Sequence, residues 1–213
     1  MGTTLILVRH GESDANGNKF FAGQLDIDLS QRGRQQAELT ASYICAHYSV
    51  DAVYASDLKR AYHTAEPIAR ACGVETVKME QLREIYAGQW QGMHFDDLER
   101  VYAQEYGQWR QDIGKAHPNG GESVEDLSER VWTAVQEIVE REQGKTVAIV
   151  THATPIRALL CRIKGMALED MKAVAWVSNA SVSVVQVEDG WTLEQESVDQ
   201  HLAELKTRFP ANV

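Results

Sequence analysis

Two segments of the 213-residue chain share one pattern, an apolar run that ends in a histidine. Leu5-Ile6-Leu7-Val8 leads into Arg9-His10-Gly11, and Val147-Ala148-Ile149-Val150 leads into Thr151-His152-Ala153. Continuous apolar runs of this length read as strands buried on both faces. In open α/β sheets the reactive groups sit beyond the carboxyl ends of such strands. If the two strands are neighbours, both imidazoles enter one crevice. A short strand from Asp51 to Ala55 ends nearby, with Arg60 about one helical turn beyond Ser56. Arg9 and Arg60 are planar forks suited to gripping phosphate. A histidine between two cations has its protonated form disfavoured. It therefore keeps a lone pair with which to accept a phosphoryl group covalently. The leaving oxygen then needs a proton from a carboxylic acid, and nothing in the periodicity selects which one.

The elements that must position these groups follow from the same pattern. Ser30 caps a helix whose Ala37, Ala41, Ile44 and Tyr48 form one apolar stripe. Asp57 is expected to cap the next helix, which carries Leu58, Ala61, Ala65, Ile68 and Ala69 inward and closes at Gly73. Ser123 and Asp126 form a capping box ahead of Val124, Leu127, Val131, Ala134 and Ile138. Thr154 and Pro155 read as N-cap and first residue of a last helix. Residues 180–187 and 191–197 read as a hairpin turning near Asp189-Gly190, and the tail from 200 as loosely held. Strands alternating with helices predict a three-layer α/β/α domain over 1–213 with a largely parallel central sheet. A small, partly helical lid insertion, rich in aromatic residues, is expected at about 85–121.

Composition narrows the functions open to such a fold. With 21 basic and 31 acidic residues the net charge is −10. That speaks against a nucleic-acid partner, which draws a basic stripe, and against docking on an anionic membrane. No run approaches the roughly 18 apolar residues of a membrane span, and no signal peptide is recognisable at the N-terminus. Cys45, Cys72 and Cys161 are scattered and odd in number. They read as buried free thiols in a reducing compartment, which makes the cytoplasm the expected location.

The ordering of motifs is more specific than any single one. Arg9-His10-Gly11-Glu12-Ser13 with Asn16 resembles the signature of the histidine phosphatase superfamily, which includes the phosphoglycerate mutases. The resemblance continues through Asp28-Leu29-Ser30, Tyr54-Ala55-Ser56-Asp57-Leu58, Arg60-Ala61 and Leu82-Arg83-Glu84. It is completed by Trp90-Gln91-Gly92, Gly121-Glu122-Ser123 and Thr151-His152 through Ile156-Arg157. It implies His10 as nucleophile, Glu84 as general acid and base, and Arg9, Arg60, His152 and Asn16 as holders of the phosphoryl group. It also implies substrate contacts at Gly23 and Gln24, with Tyr86, Trp90 and Met93 expected in a lid favouring a partly apolar alcohol. No cofactor or metal is implied.

Glu84-Ile85-Tyr86-Ala87-Gly88-Gln89-Trp90 resembles the phosphatase branch, α-ribazole and broad-specificity phosphatases among them. Bisphosphate-dependent mutases usually carry a different segment at the acid. A phosphomonoesterase acting on a small phosphorylated metabolite, and inhibited by phosphate or vanadate, is therefore the first expectation. The mutase is the alternative and a non-catalytic phospholigand-binding module the second. A homodimer is left open. His10, His152 and Glu84 could also be read as two histidines and a carboxylate around a metal, but Arg9 and Arg60 would repel a cation. Glu12 and Glu80 compete locally with Glu84. Arg157 reads as an ordinary surface arginine, and Tyr102, Tyr106 and Trp109 as lid core.

Overall fold

A computed structural model describes residues 2–207. The chain runs through β1 (Thr3–Arg9), α1 (Asp14–Asn18), α2 (Gln31–His47), β2 (Ala52–Ala55), α3 (Lys59–Cys72) and β3 (Thr76–Lys78). It continues through α4 (Phe95–Val101), α5 (Ala103–Gln111), α6 (Val124–Arg141), β4 (Thr146–Thr151) and α7 (Ala153–Ile163), and ends with β5 (Val182–Val187) and β6 (Trp191–Val198). The strands form one sheet in the order β3-β2-β4-β1-β5-β6. β1 to β4 are mutually parallel, and β5 runs antiparallel to both β1 and β6.

Alternation along each strand makes this a three-layer structure. Leu5 and Leu7 face one core with α6 and α7, through Leu127, Val131, Ile156 and Leu159. Ile6 and Val8 face the other with α2 and α3, through Ala41, Ile44, Ala65 and Ile68. Leu5 to Val8 are 0–1% exposed. At about 1.5–3 kcal/mol for each such side chain, their burial offsets the cost of drawing Arg9 and His10 out of water at the end of the same strand.

Several local expectations are corrected. Asp57 does not cap α3: Leu58 stands at the N-cap with no side-chain bond, because the Asp57 carboxylate is taken bidentately by Arg83 at 2.6 and 2.7 Å. α7 starts two residues earlier than expected, with His152 rather than Thr154 at its N-cap. β3 carried no sequence signal; it is three residues long and largely exposed at the sheet edge. The segment from 200 is not loose as far as it is described. Gln200–Leu205 forms a 3₁₀ turn with Leu202 1% exposed, and Gln36 donates to Leu205 O and Thr207 Oγ1. Residues 208–213 lie outside the described residues. Ser30 and the Ser123–Asp126 capping box hold as expected.

Candidate active site

Register brings the two histidines together. β1 and β4 pair with Val8 opposite Val150 and Arg9 opposite Thr151, so His10 and His152 leave adjacent strands at the same level. Their rings meet edge to face with centroids 5.0 Å apart. His10 N–H donates to Thr151 O at 2.9 Å, and Asn179 Nδ2 donates to His10 O at 3.0 Å. Gly11 permits the turn that follows: a Cβ there would stand 2.5 Å from Gly33 O, at the start of α2.

The tautomer of His10 is set by its neighbour. Nδ1 lies 2.7 Å from Gly11 O, and a carbonyl can only accept. Nδ1 therefore carries the proton and Nε2 keeps the lone pair. Burial, then Arg60 and Arg9, hold the imidazolium well below its ordinary range. His152 is shifted the same way by burial, Arg60 and His10. Its Nε2 is 2.9 Å from Ser56 Oγ, while its buried Nδ1 has no hydrogen-bond partner among the described residues.

The two cations are buried beside this pair. Arg60 is 1% exposed and donates to Gly23 O and Leu25 O at 2.7 and 2.8 Å. Gly23 accepts this contact with φ at +50°, and a Cβ would collide with Gln91 Oε1. Arg9 donates to Val177 O and lies 5.2 Å over the Trp176 ring. Burial lowers both guanidinium pKa values to about 10, so both remain cationic at neutral pH. Asn16 Oδ1 is committed to Ser13 and Asn179.

Glu84 reaches the same cleft from the segment after β3. Its carboxylate accepts from Ile85 N at 2.9 Å and from Thr154 N at 3.4 Å. Arg130 on α6 donates to the carbonyls of Gln81, Arg83 and Glu84. Thr151 Oγ1 donates to Leu82 O at 2.6 Å. Four contacts on four consecutive residues thus fix where Glu84 stands. Of its competitors, Glu80 is 72% exposed on Arg83. Glu12 lines the cleft, but its carboxylate is held by Ser30 and Arg32.

The cleft has a volume of about 840 Å³. Arg9, His10, Asn16, Gly23, Arg60 and Glu84 line it, with His152 buried behind His10. Tyr86 and Gln24 do not. Tyr86 is 45% exposed elsewhere, and Gln24 instead donates to Glu84 O at 3.1 Å. Trp90 is fully buried among Phe21, Tyr106 and Trp109, and Met93 packs on the same core. The apolar wall is Phe20, Phe21, Phe95, Tyr106, Trp109 and Trp176. The lid's inner aromatic residues are therefore Phe95, Tyr106 and Trp109 of α4 and α5, because Trp90 and Met93 are spent in the core and Tyr86 faces solvent.

Sequence reasoning missed three positioning groups. Arg130 and Asn179 act through backbone carbonyls, which no spacing announces. Arg157 is largely buried, not a surface residue: it donates to Met171 O, lies 5.8 Å over Trp176 and faces the cleft. Among the described residues no group of three His, Cys, Asp or Glu side chains could hold a metal ion, and no helix is long and apolar enough to cross a membrane.

The buried histidine pair makes stability depend on pH. Both folded-state pKa values lie below the roughly 6.5 of an unfolded histidine. Above that pH both states are neutral and nothing is lost. Below it the unfolded chain progressively binds two protons that the folded chain refuses, so stability falls with a slope that approaches about 2.7 kcal/mol per pH unit. Urea midpoints measured without phosphate should drop steeply from pH 6.5 to 5.5, and a His10→Asn/His152→Asn double variant should lose most of that slope. A wild-type midpoint that stays level over this interval would show that the two rings are not held neutral.

Comparison with known proteins points one way. The sequence profile of the histidine phosphatase superfamily, branch 1, matches residues 5–199. Phosphoserine phosphatase 1 of Hydrogenobacter thermophilus is 37% identical over 185 residues, 87% of each chain. Phosphoglycerate mutase-like protein 4 of Arabidopsis thaliana is 35% identical over 206 residues, 94% of this chain and 87% of that one. The structure of Bacillus stearothermophilus YhfR superimposes with a TM-score of 0.89 at 30% identity, covering 94% of this chain and 99% of that one.

Proposed function

The chain belongs to branch 1 of the histidine phosphatase superfamily, and from this we propose that it is a metal-independent, cytoplasmic phosphomonoesterase working through a phosphohistidine. One observation carries the reading: the His10 Nε2 lone pair stands in a cleft between two buried guanidiniums. Nε2 attacks phosphorus, the ester P–O bond breaks, and Glu84 gives its proton to the departing oxygen. Arg9, Arg60, Asn16 and the His152 Nδ1–H hold the phosphoryl oxygens and neutralise the charge that spreads over them. Glu84 then takes a proton from water, which attacks the phosphohistidine and releases phosphate.

The cleft favours an alcohol that carries a second anion. In a chain of net charge −10, its lining holds seven cations and two carboxylates. Arg9 and Arg60 serve the phosphoryl group, Arg32 pairs with Glu12 and Arg110 with Glu99. Lys19, Arg157 and Lys172 remain, with Arg157 over the Trp176 ring, and a substrate carboxylate there would offset part of this positive charge. This fits a phosphorylated hydroxy or amino acid. The mutase reading draws on the Arabidopsis relative and differs in the fate of the phosphoryl group.

A panel of esters with and without chelator tests both readings. O-phosphoserine should release phosphate at least tenfold more efficiently than O-phosphoethanolamine, which lacks the carboxylate. A charged hydrogen bond of about 1.5–3 kcal/mol supports such a factor. Arg157→Gln should shrink that ratio, and EDTA should change nothing. Conversion of 3-phosphoglycerate with bisphosphate cofactor, without phosphate release, would establish the mutase instead.

A further inference from the structure

Cys45 and Cys72, scattered in sequence, are neighbours in the fold. Cys45 lies in the last turn of α2 and Cys72 ends α3, with their Sγ atoms 3.1 Å apart. A disulfide bond is about 2.05 Å long, so closing one asks the two sulfurs to approach by about 1 Å. Both thiols are free, Cys45 exposed and Cys72 half-buried, which corrects the reading of all three cysteines as buried. Only Cys161 is buried, and its Sγ donates to Ala167 O on the opposite side of the sheet.

We propose that Cys45 and Cys72 form a reversible disulfide, with a small-molecule disulfide such as oxidised glutathione as oxidant, that ties α2 to α3. The Cys45 thiolate attacks one sulfur of the small disulfide, whose S–S bond breaks and releases one thiolate. Cys72 then gives up its proton and attacks Cys45 Sγ, expelling the second. The protein loses two protons and two electrons, and the small disulfide gains both as two thiols. Cys45 reacts first because it is exposed. Burial and the adjacent Cys45 push the Cys72 thiol up to about 12, so it meets the outside oxidant poorly. Proximity gives it the second step, because an attacking group held in place acts at a very high effective concentration.

The tie would act on stability and leave the chemistry alone. α2 and α3 both begin at the cleft, where Gly33 lies under Gly11 and Glu12 and where Arg60 occupies the first turn of α3. The sulfurs sit at the other ends of these helices. A cross-link 27 positions apart removes loop freedom from the unfolded chain. For a chain of this size the unfolding midpoint should rise by about 5–10 °C.

The test compares full-length protein treated with oxidised glutathione and with dithiothreitol. Oxidation should reduce the titratable thiols under denaturing conditions from three to one. A disulfide-linked pair of Cys45 and Cys72 peptides should appear by mass spectrometry, the midpoint should rise, and p-nitrophenyl phosphate turnover should stay within twofold. Cys45→Ser should abolish the shift, and Cys161→Ser should keep it. Three free thiols after treatment, glutathione retained on Cys45, a link through Cys161 or to a second chain, or an unmoved midpoint would each overturn the proposal.

Discussion

His10→Ala is expected to abolish phosphate release from every ester, by at least about 10⁴-fold, without unfolding the protein. Removing a covalent nucleophile costs many decades because the remaining groups cannot form the bond it formed. Arg9, Arg60 and His152 would still bind phosphate, so the variant should keep its affinity for vanadate within about tenfold. Acid-quenched wild type should carry acid-labile phosphate, and the alanine variant none. Residual turnover within tenfold of wild type would end the mechanism, since one decade is only about 1.4 kcal/mol of barrier. Urea unfolding of the variant at pH 7.5 distinguishes lost chemistry from lost structure.

The second large effect concerns Glu84, and it should depend on the leaving group. An alkyl alcohol is a poor leaving group and needs the proton; p-nitrophenolate hardly does. Glu84→Gln keeps the size and removes the transferable proton. It should slow phosphorylation of His10 by alkyl esters by about 10²–10⁴ and by p-nitrophenyl phosphate far less. Hydrolysis of the phosphohistidine should still suffer, because the same carboxylate activates water. The nitrophenyl burst should therefore persist while steady turnover falls. Equal losses for both ester classes in single turnover would remove Glu84 as the acid and pass the role to Glu12, the other carboxylate in the cleft.

What could be read in the sequence was what local pattern encodes. Buried strands ending in histidine, Ser30 and Ser123 as caps, and Gly73 closing α3 all rest on periodicities and end rules that act within a few residues. The resemblance supplied Glu84, which periodicity could not choose. What escaped depends on where distant backbone lands. Arg130 holds three carbonyls some 46 to 49 positions away, and Asn179 reaches His10 across 169. Arg157 looks like any helix arginine until the chain after α7 folds over it. Tyr86 was misplaced for the converse reason: an aromatic residue in a lid has two sides to face, and neighbouring residues do not say which.

The position of β1 has a consequence for how the chain is made. It precedes every other strand of the sheet, yet both of its partners, β4 and β5, lie more than 130 residues further along, from Thr146 onward. Until they emerge, Leu5 to Val8 have neither hydrogen-bonding edge satisfied, and an unpaired apolar strand is a template for wrong pairing. Sequence-distant pairing is slow to find, and intermediates with open edges aggregate. The nascent protein must therefore carry Leu5 to Val8 without a strand partner until β4 has emerged. No fragment ending before β4 can hold both histidines, so any chain with enzyme activity has already passed through that exposed stage.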